Sequence, residues 1–73
     1  IIYIPLDKRG FKNIKLPEQL EEKIEEMIEG DGFHYLFIDE VHNVIGFESV
    51  VQAYVEEGYS VFLTGYYYDA IAS

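Results

Sequence analysis

Residues 35–40 read Tyr-Leu-Phe-Ile-Asp-Glu, an apolar run that ends abruptly in two carboxylates. The run contains β-branched and aromatic residues and has no polar face, so it predicts a buried strand. The two acids then lie at the carboxyl end of that strand. Adjacent residues at a strand end project to opposite sides, so Asp39 and Glu40 are placed for two different tasks and not for sharing one proton.

Strands and helices alternate on both sides of this run. Two further apolar runs predict strands, and two segments with apolar residues at helical spacing predict amphipathic helices, each followed by a glycine that favours a helix end. The predicted strands span about residues 1–6, 33–39 and 59–64, and the predicted helices span about residues 17–29 and 47–57. This order is typical of an α/β fold: a βαβαβ unit of the three-layer type, with right-handed crossovers and a short parallel sheet.

Composition limits the size and the class of the protein. With 73 residues the chain can form one small domain, and an opening Ile1 without methionine predicts that residues 1–73 are a partial domain of a longer protein. The absence of cysteine excludes disulfides and thiolate metal sites. The net charge of -9 repels nucleic-acid phosphates, and no apolar run reaches the roughly 20 residues that span a bilayer. We therefore expect a cytoplasmic protein with no direct contact to nucleic acid or membrane.

Polar or small residues follow each predicted strand. Asp7, Asp39 with Glu40, and Thr64 with Gly65 fall at the three carboxyl ends, where α/β proteins bind their ligands. A Mg²⁺ ion needs one or two carboxylates together with waters and phosphate oxygens, and a second carboxylate can orient or deprotonate an attacking water. Asp39 fits the first role and Glu40 the second.

Three stretches of the chain together resemble one family of ATPases. Tyr35–Glu40 resembles the Walker B motif of P-loop ATPases, and its continuation Val41–Glu48 resembles the AAA+-like prokaryotic branch of them. Phe62–Gly65 resembles the strand that carries sensor 1 in the same family. The resemblance covers nearly the whole chain and identifies it as the central segment of a P-loop ATPase core.

The resemblance implies roles for three residues. Asp39 would bind Mg²⁺ in the full-length parent protein, Glu40 would be the catalytic residue that polarises the hydrolytic water, and Thr64 would contact the ATP cofactor as the sensor residue. Nothing in the 73 residues matches G-x-x-x-x-G-K-[ST], the Walker A loop that holds the phosphates. We therefore expect a fragment that is inactive alone and binds neither ATP nor Mg²⁺ tightly.

The absence of a Walker A loop from the 73 residues also leads to an expectation about binding partners. The resemblance implies that the remainder of the same ATPase domain packs against this segment, with the Walker A strand beside the sensor strand. Without it, residues 59–64 would form an open hydrophobic edge, and such edges template pairing with another chain. We therefore expect self-association through this strand.

A second interpretation is a helicase. Asp39-Glu40-Val41-His42 is also the D-E-x-H string of motif II in a large helicase group, in which His42 would couple hydrolysis to strand separation. The acidic net charge and the continuation after His42 count against it.

A third interpretation is a non-catalytic interaction module or a receiver-like module on the same α/β scaffold. A receiver needs an acidic pair after its first strand and a lysine late in the chain. Here Asp7 stands alone after the first strand, and Lys23 is the last lysine.

Overall fold

A computed structural model describes residues 1–30, 34–65 and 68–72, the last five by their backbone alone. The elements are β1 (Ile2–Pro5), α1 (Pro17–Met27), β2 (Tyr35–Asp39), a short 3-10 helix (Val41–Asn43), α2 (Phe47–Glu56), β3 (Ser60–Gly65) and β4 (Tyr68–Ala72). The predicted α/β class and βαβαβ order are confirmed. Both helices end slightly earlier than predicted, and the first predicted residue of the second strand lies outside the described residues.

The sheet has the order β1-β2-β3-β4, and its first three strands are parallel. In register, Ile4 lies beside Ile38, which lies beside Leu63. These positions and their neighbours two residues away form one buried face. Its members are Ile2, Ile4, Leu36, Ile38, Val61 and Leu63. The alternation follows from the two-residue period of a strand, and it creates a single core beneath the helices.

Both helices cover that one face. The strands follow one another in spatial order, and successive right-handed crossovers in one direction place α1 and α2 on the same side, where they contact each other. The described residues therefore form two layers. The apolar runs predicted strands covered on both faces, but the second face carries aromatic rings that are partly open, with Tyr3 46% and Tyr35 44% exposed.

Aromatic contacts organise this second face. Phe37 packs edge-on against Tyr3 at 5.6 Å between ring centroids and stacks on Phe62 at 6.2 Å. Tyr35 stacks on Phe62 from the other side at 6.4 Å. Aromatic pairs across neighbouring strands stabilise a sheet, so this row supports the parallel pairing without a covering helix.

The prediction that residues 59–64 form an open edge is wrong. All five residues of β4 pair antiparallel with β3, with Thr64 opposite Asp69 and Gly65 opposite Tyr68. The sequence pattern predicts no strand in this segment. Backbone hydrogen bonds to β3 define β4, so the apolar pattern of its short sequence was a weak signal. Self-association through residues 59–64 stays a prediction, but the unpaired edge that motivated it is occupied. Tyr66 and Tyr67 lie outside the described residues.

A buried tyrosine joins the two helices. The Tyr54 hydroxyl of α2 donates a hydrogen bond to the carboxylate of Glu25 on α1. Burial, followed by this hydrogen bond and the charge of Glu25, raises the pKa of Tyr54 above its ordinary value of 10.0. Tyr59 packs edge-on against Tyr54 at 5.1 Å, and burial likewise raises its pKa. The helix layer therefore depends on a protonated tyrosine.

Two isoleucines allow a matched test of this core. Ile38 is fully buried in β2, whereas Ile45 is 83% exposed. We expect Ile38→Val to lower the free energy of unfolding by about 1 kcal/mol, because it removes a buried methylene and leaves a cavity. Ile45→Val should change it by less than about 0.5 kcal/mol. Urea denaturation measures both, and equal losses would contradict the assigned core.

Tyr54 predicts how stability depends on alkaline pH. In the unfolded chain Tyr54 loses its proton near its ordinary pKa of 10.0, while the folded chain holds that proton to higher pH. The free energy of unfolding should therefore fall as pH rises above about 10. Tyr54→Phe should lose the interhelical hydrogen bond at neutral pH, at a cost of about 1 kcal/mol, and show a shallower alkaline decline. Identical declines in urea titrations of the two proteins would refute this.

Candidate functional site

The register of β2 and β3 brings two predicted site residues together. Ile38 pairs with Leu63, so Asp39 and Thr64 follow as neighbours on the sheet face that carries the aromatic rings. The Thr64 hydroxyl donates a hydrogen bond to Asp39 Oδ1. The same hydroxyl accepts the backbone N–H of Glu40 at 3.2 Å. One threonine thus holds the carboxylate of one acid and the backbone of the next.

Glu40 has a left-handed backbone conformation, with φ 59° and ψ 45°. Among the described residues it is the one non-glycine with a positive φ. A side chain in this region costs roughly 1–3 kcal/mol and persists only where its surroundings hold it. Thr64 holds its N–H, and its carbonyl accepts the N–H of Asn43 at 3.0 Å. Strain of this kind concentrates at functional sites, and here it turns the chain away from the strand direction directly after Asp39.

The 3-10 helix after Glu40 is anchored on both sides of His42. Val41 and Val44 are buried in the core, and the Val44 N–H closes the turn on the Val41 carbonyl at 3.1 Å. The Asn43 side-chain amide donates to the Leu6 carbonyl at 3.4 Å. This segment therefore connects the end of β2 to the end of β1.

Gly65 lies against this 3-10 helix. A Cβ at this position would stand 3.4 Å from Val41 Cγ1 and 2.9 Å from His42 Nδ1, and the second distance is too short unless the imidazole shifts. The glycine after Thr64 therefore serves a close approach. His42 Nε2 in turn lies 3.5 Å from Glu40 Oε2.

One further group at the site, the Tyr3 hydroxyl, has no signal in the local sequence. The Tyr3 hydroxyl lies 3.5 Å from Asp39 Oδ2, because Tyr3 and Asp39 project from the same face of neighbouring strands. Strand parity could have indicated this contact once the pairing of β1 with β2 was known. Asp7, predicted at the same edge, lies on the exposed turn that follows β1, with its carboxylate 3.9 Å from Lys8 Nζ.

Asp39 matches the manner in which Mg²⁺ is usually held. Within the described residues no three His, Cys, Asp or Glu side chains converge into a metal cage. Mg²⁺ commonly binds one or two carboxylates and takes its other oxygens from water and substrate phosphates. A half-buried carboxylate backed by a hydroxyl, at the carboxyl end of parallel strands, fits that donor set.

His34 is remote from this edge. It precedes β2, at the opposite end of that strand from Asp39, and its ring packs edge-on against Tyr59 at 4.9 Å. Helices in the described parts of the chain are all too short or too polar to cross a membrane.

Three parallel strands with helical crossovers and two acids at the carboxyl end of the middle strand define an α/β protein, and in such folds ligands generally bind at this edge. A family model described as an AAA domain matches residues 1–66, so the chain belongs to this family of AAA-type P-loop ATPases. The resemblance found in the sequence is confirmed at the level of the family. Searches of curated proteins and of solved structures gave no match.

Thr64 offers a direct test of the hydrogen-bonded unit. Thr64→Val keeps the shape but removes the hydroxyl, leaving the Glu40 N–H without its acceptor and Asp39 Oδ1 without its donor. We expect a loss of about 1–3 kcal/mol in the free energy of unfolding and faster hydrogen exchange at the Glu40 amide. Thr64→Ser, which keeps the hydroxyl, should preserve most of both. Slow exchange at Glu40 in Thr64→Val would show that the hydroxyl does not hold this backbone.

Proposed function

We propose that the chain provides the Walker B half of a Mg²⁺-dependent ATP hydrolysis site. Asp39 binds Mg²⁺, Glu40 is the general base for the attacking water, and Thr64 is the sensor residue that contacts the nucleotide. Membership of the AAA domain family supports the class of reaction. The observation that carries the assignment to these residues is the single threonine hydroxyl that joins the Asp39 carboxylate to the Glu40 backbone.

The geometry separates the tasks of the two acids. The Thr64 hydroxyl binds Asp39 Oδ1, while Oδ2 lies 3.5 Å from the Tyr3 hydroxyl on the aromatic face of the sheet. The left-handed turn takes Glu40 off that face and toward the 3-10 helix. The two adjacent carboxylates thereby take different roles, Asp39 toward the cation and Glu40 toward the water.

The proposed reaction is an in-line displacement at the γ-phosphorus of ATP. The water oxygen forms a bond to phosphorus, the bond from phosphorus to the oxygen bridging to ADP breaks, and Glu40 accepts a proton from the water. Mg²⁺, when bound, neutralises the charge of the phosphate oxygens. The remaining work of this chain is to hold Glu40 and Asp39 in fixed relative positions, since positioning is a large part of catalysis in this reaction.

The phosphates need a second half-site. The 73 residues contain no G-x-x-x-x-G-K-[ST] loop, whose backbone amides and lysine cradle phosphates. We therefore propose that the rest of the same ATPase domain in the cytoplasmic parent protein provides the loop, and that this chain alone binds ATP and Mg²⁺ weakly. The net charge of -9 agrees with a partner other than nucleic acid.

Glu40→Gln tests the assignment in a protein that joins this chain to its phosphate loop. The amide keeps the size of the side chain but cannot accept the proton, so we expect turnover to fall by about 10²–10⁴-fold while ATP affinity is retained. Steady-state ATPase assays and equilibrium nucleotide binding measure the two quantities. Glu22→Gln, the same change on the exposed face of α1, should leave both unaltered. Full turnover in Glu40→Gln would overturn the role of Glu40.

A further inference from the structure

His42 occupies a fixed position beside the proposed base. Buried Val41 and Val44 flank it, and the Asn43 side chain ties the same turn to β1. Its backbone is therefore held by core packing and by the Leu6 carbonyl, in addition to the hydrogen bond from the Asn43 N–H to the Glu40 carbonyl. From this position His42 Nε2 lies 3.5 Å from Glu40 Oε2.

Gly65 fixes the ring from the other side. The backbone N of His42 would lie 3.4 Å, and its Nδ1 2.9 Å, from a Cβ at position 65. No larger residue fits there without moving the imidazole. The ring is therefore confined between the end of β3 and the 3-10 helix, with Nδ1 toward Gly65 and Nε2 toward Glu40.

We propose that His42 is a positioning residue that acts through Glu40, with Gly65 as the contact that keeps its ring in place; the proposal rests on the function proposed above for Glu40. The Glu40 side chain is 39% exposed and, among the contacts of the described residues, His42 provides the one polar partner of its carboxylate. Holding Oε2 restricts the rotation of a flexible side chain and leaves Oε1 to the water. His42 therefore confines Glu40 to the geometry in which it accepts a proton.

The test compares His42→Phe with His42→Gln in the ATPase-competent protein that contains this chain. Phenylalanine keeps a ring without a polar nitrogen, whereas the glutamine amide can still donate to a carboxylate. We expect His42→Phe to lower kcat about tenfold with KM for ATP within about twofold, because it removes orientation and not nucleotide binding. His42→Gln should recover kcat to within about threefold of the parent. Gly65→Ala should lower kcat in the same direction, because its methyl displaces the ring.

His34→Phe makes the same chemical change at the remote end of β2 and should leave kcat unaltered. Full kcat in His42→Phe, alongside a Glu40→Gln variant that has lost turnover, would overturn the role of His42 and leave the proposed function standing. Equal losses of kcat in His42→Phe and His42→Gln would also overturn it. In that case the ring would matter only for packing, because the glutamine amide can still donate to Glu40 and would otherwise restore kcat. Full turnover in Glu40→Gln would instead overturn the proposed function itself.

Discussion

The candidate site depends on the register of β2 against β3. Pairing Ile38 with Leu63 places the next residue of each strand, Asp39 and Thr64, side by side on one face. A slip of one residue would turn every side chain of β2 to the other face, which would expose the isoleucine and leucine core and separate the two polar groups. The same hydrophobic pattern that buries Leu36 and Ile38 therefore sets the position of the proposed metal-binding acid.

Core packing also holds the strained part of the site. Glu40 adopts a left-handed conformation that an unrestrained glutamate avoids. Val41 and Val44, both buried, draw the following turn into the core, and Thr64 satisfies the Glu40 N–H. Burying two valines stabilises the fold by several kcal/mol, on the order of 1.5–3 kcal/mol each, which exceeds the strain of one residue. The residue proposed as the base is thereby held in a fixed backbone conformation.

The two faces of the sheet differ in composition and in coverage, so the buried core and the candidate site lie on opposite sides. The face under α1 and α2 is aliphatic and closed, whereas the other face carries a row of aromatic rings that ends at Asp39 and Thr64. The closed face maintains the strand order. The open face carries Asp39 and Thr64, the residues proposed to bind the cation and the nucleotide. Substitutions on the two faces should therefore affect different properties of the protein.

The sequence by itself determined the α/β class, the three parallel strands, both helices and the two acids at a strand end, because periodicity and residue type are local properties. The AAA family, too, was recognisable from short motifs. The fourth strand, the single covered face, the contact of Tyr3 with Asp39 and the place of His42 between Gly65 and Glu40 were decided by tertiary structure. Each of these depends on which strands become neighbours and in what register. Residues distant along the chain meet only through that pairing, and a local pattern selects the buried face of a strand without naming its neighbour.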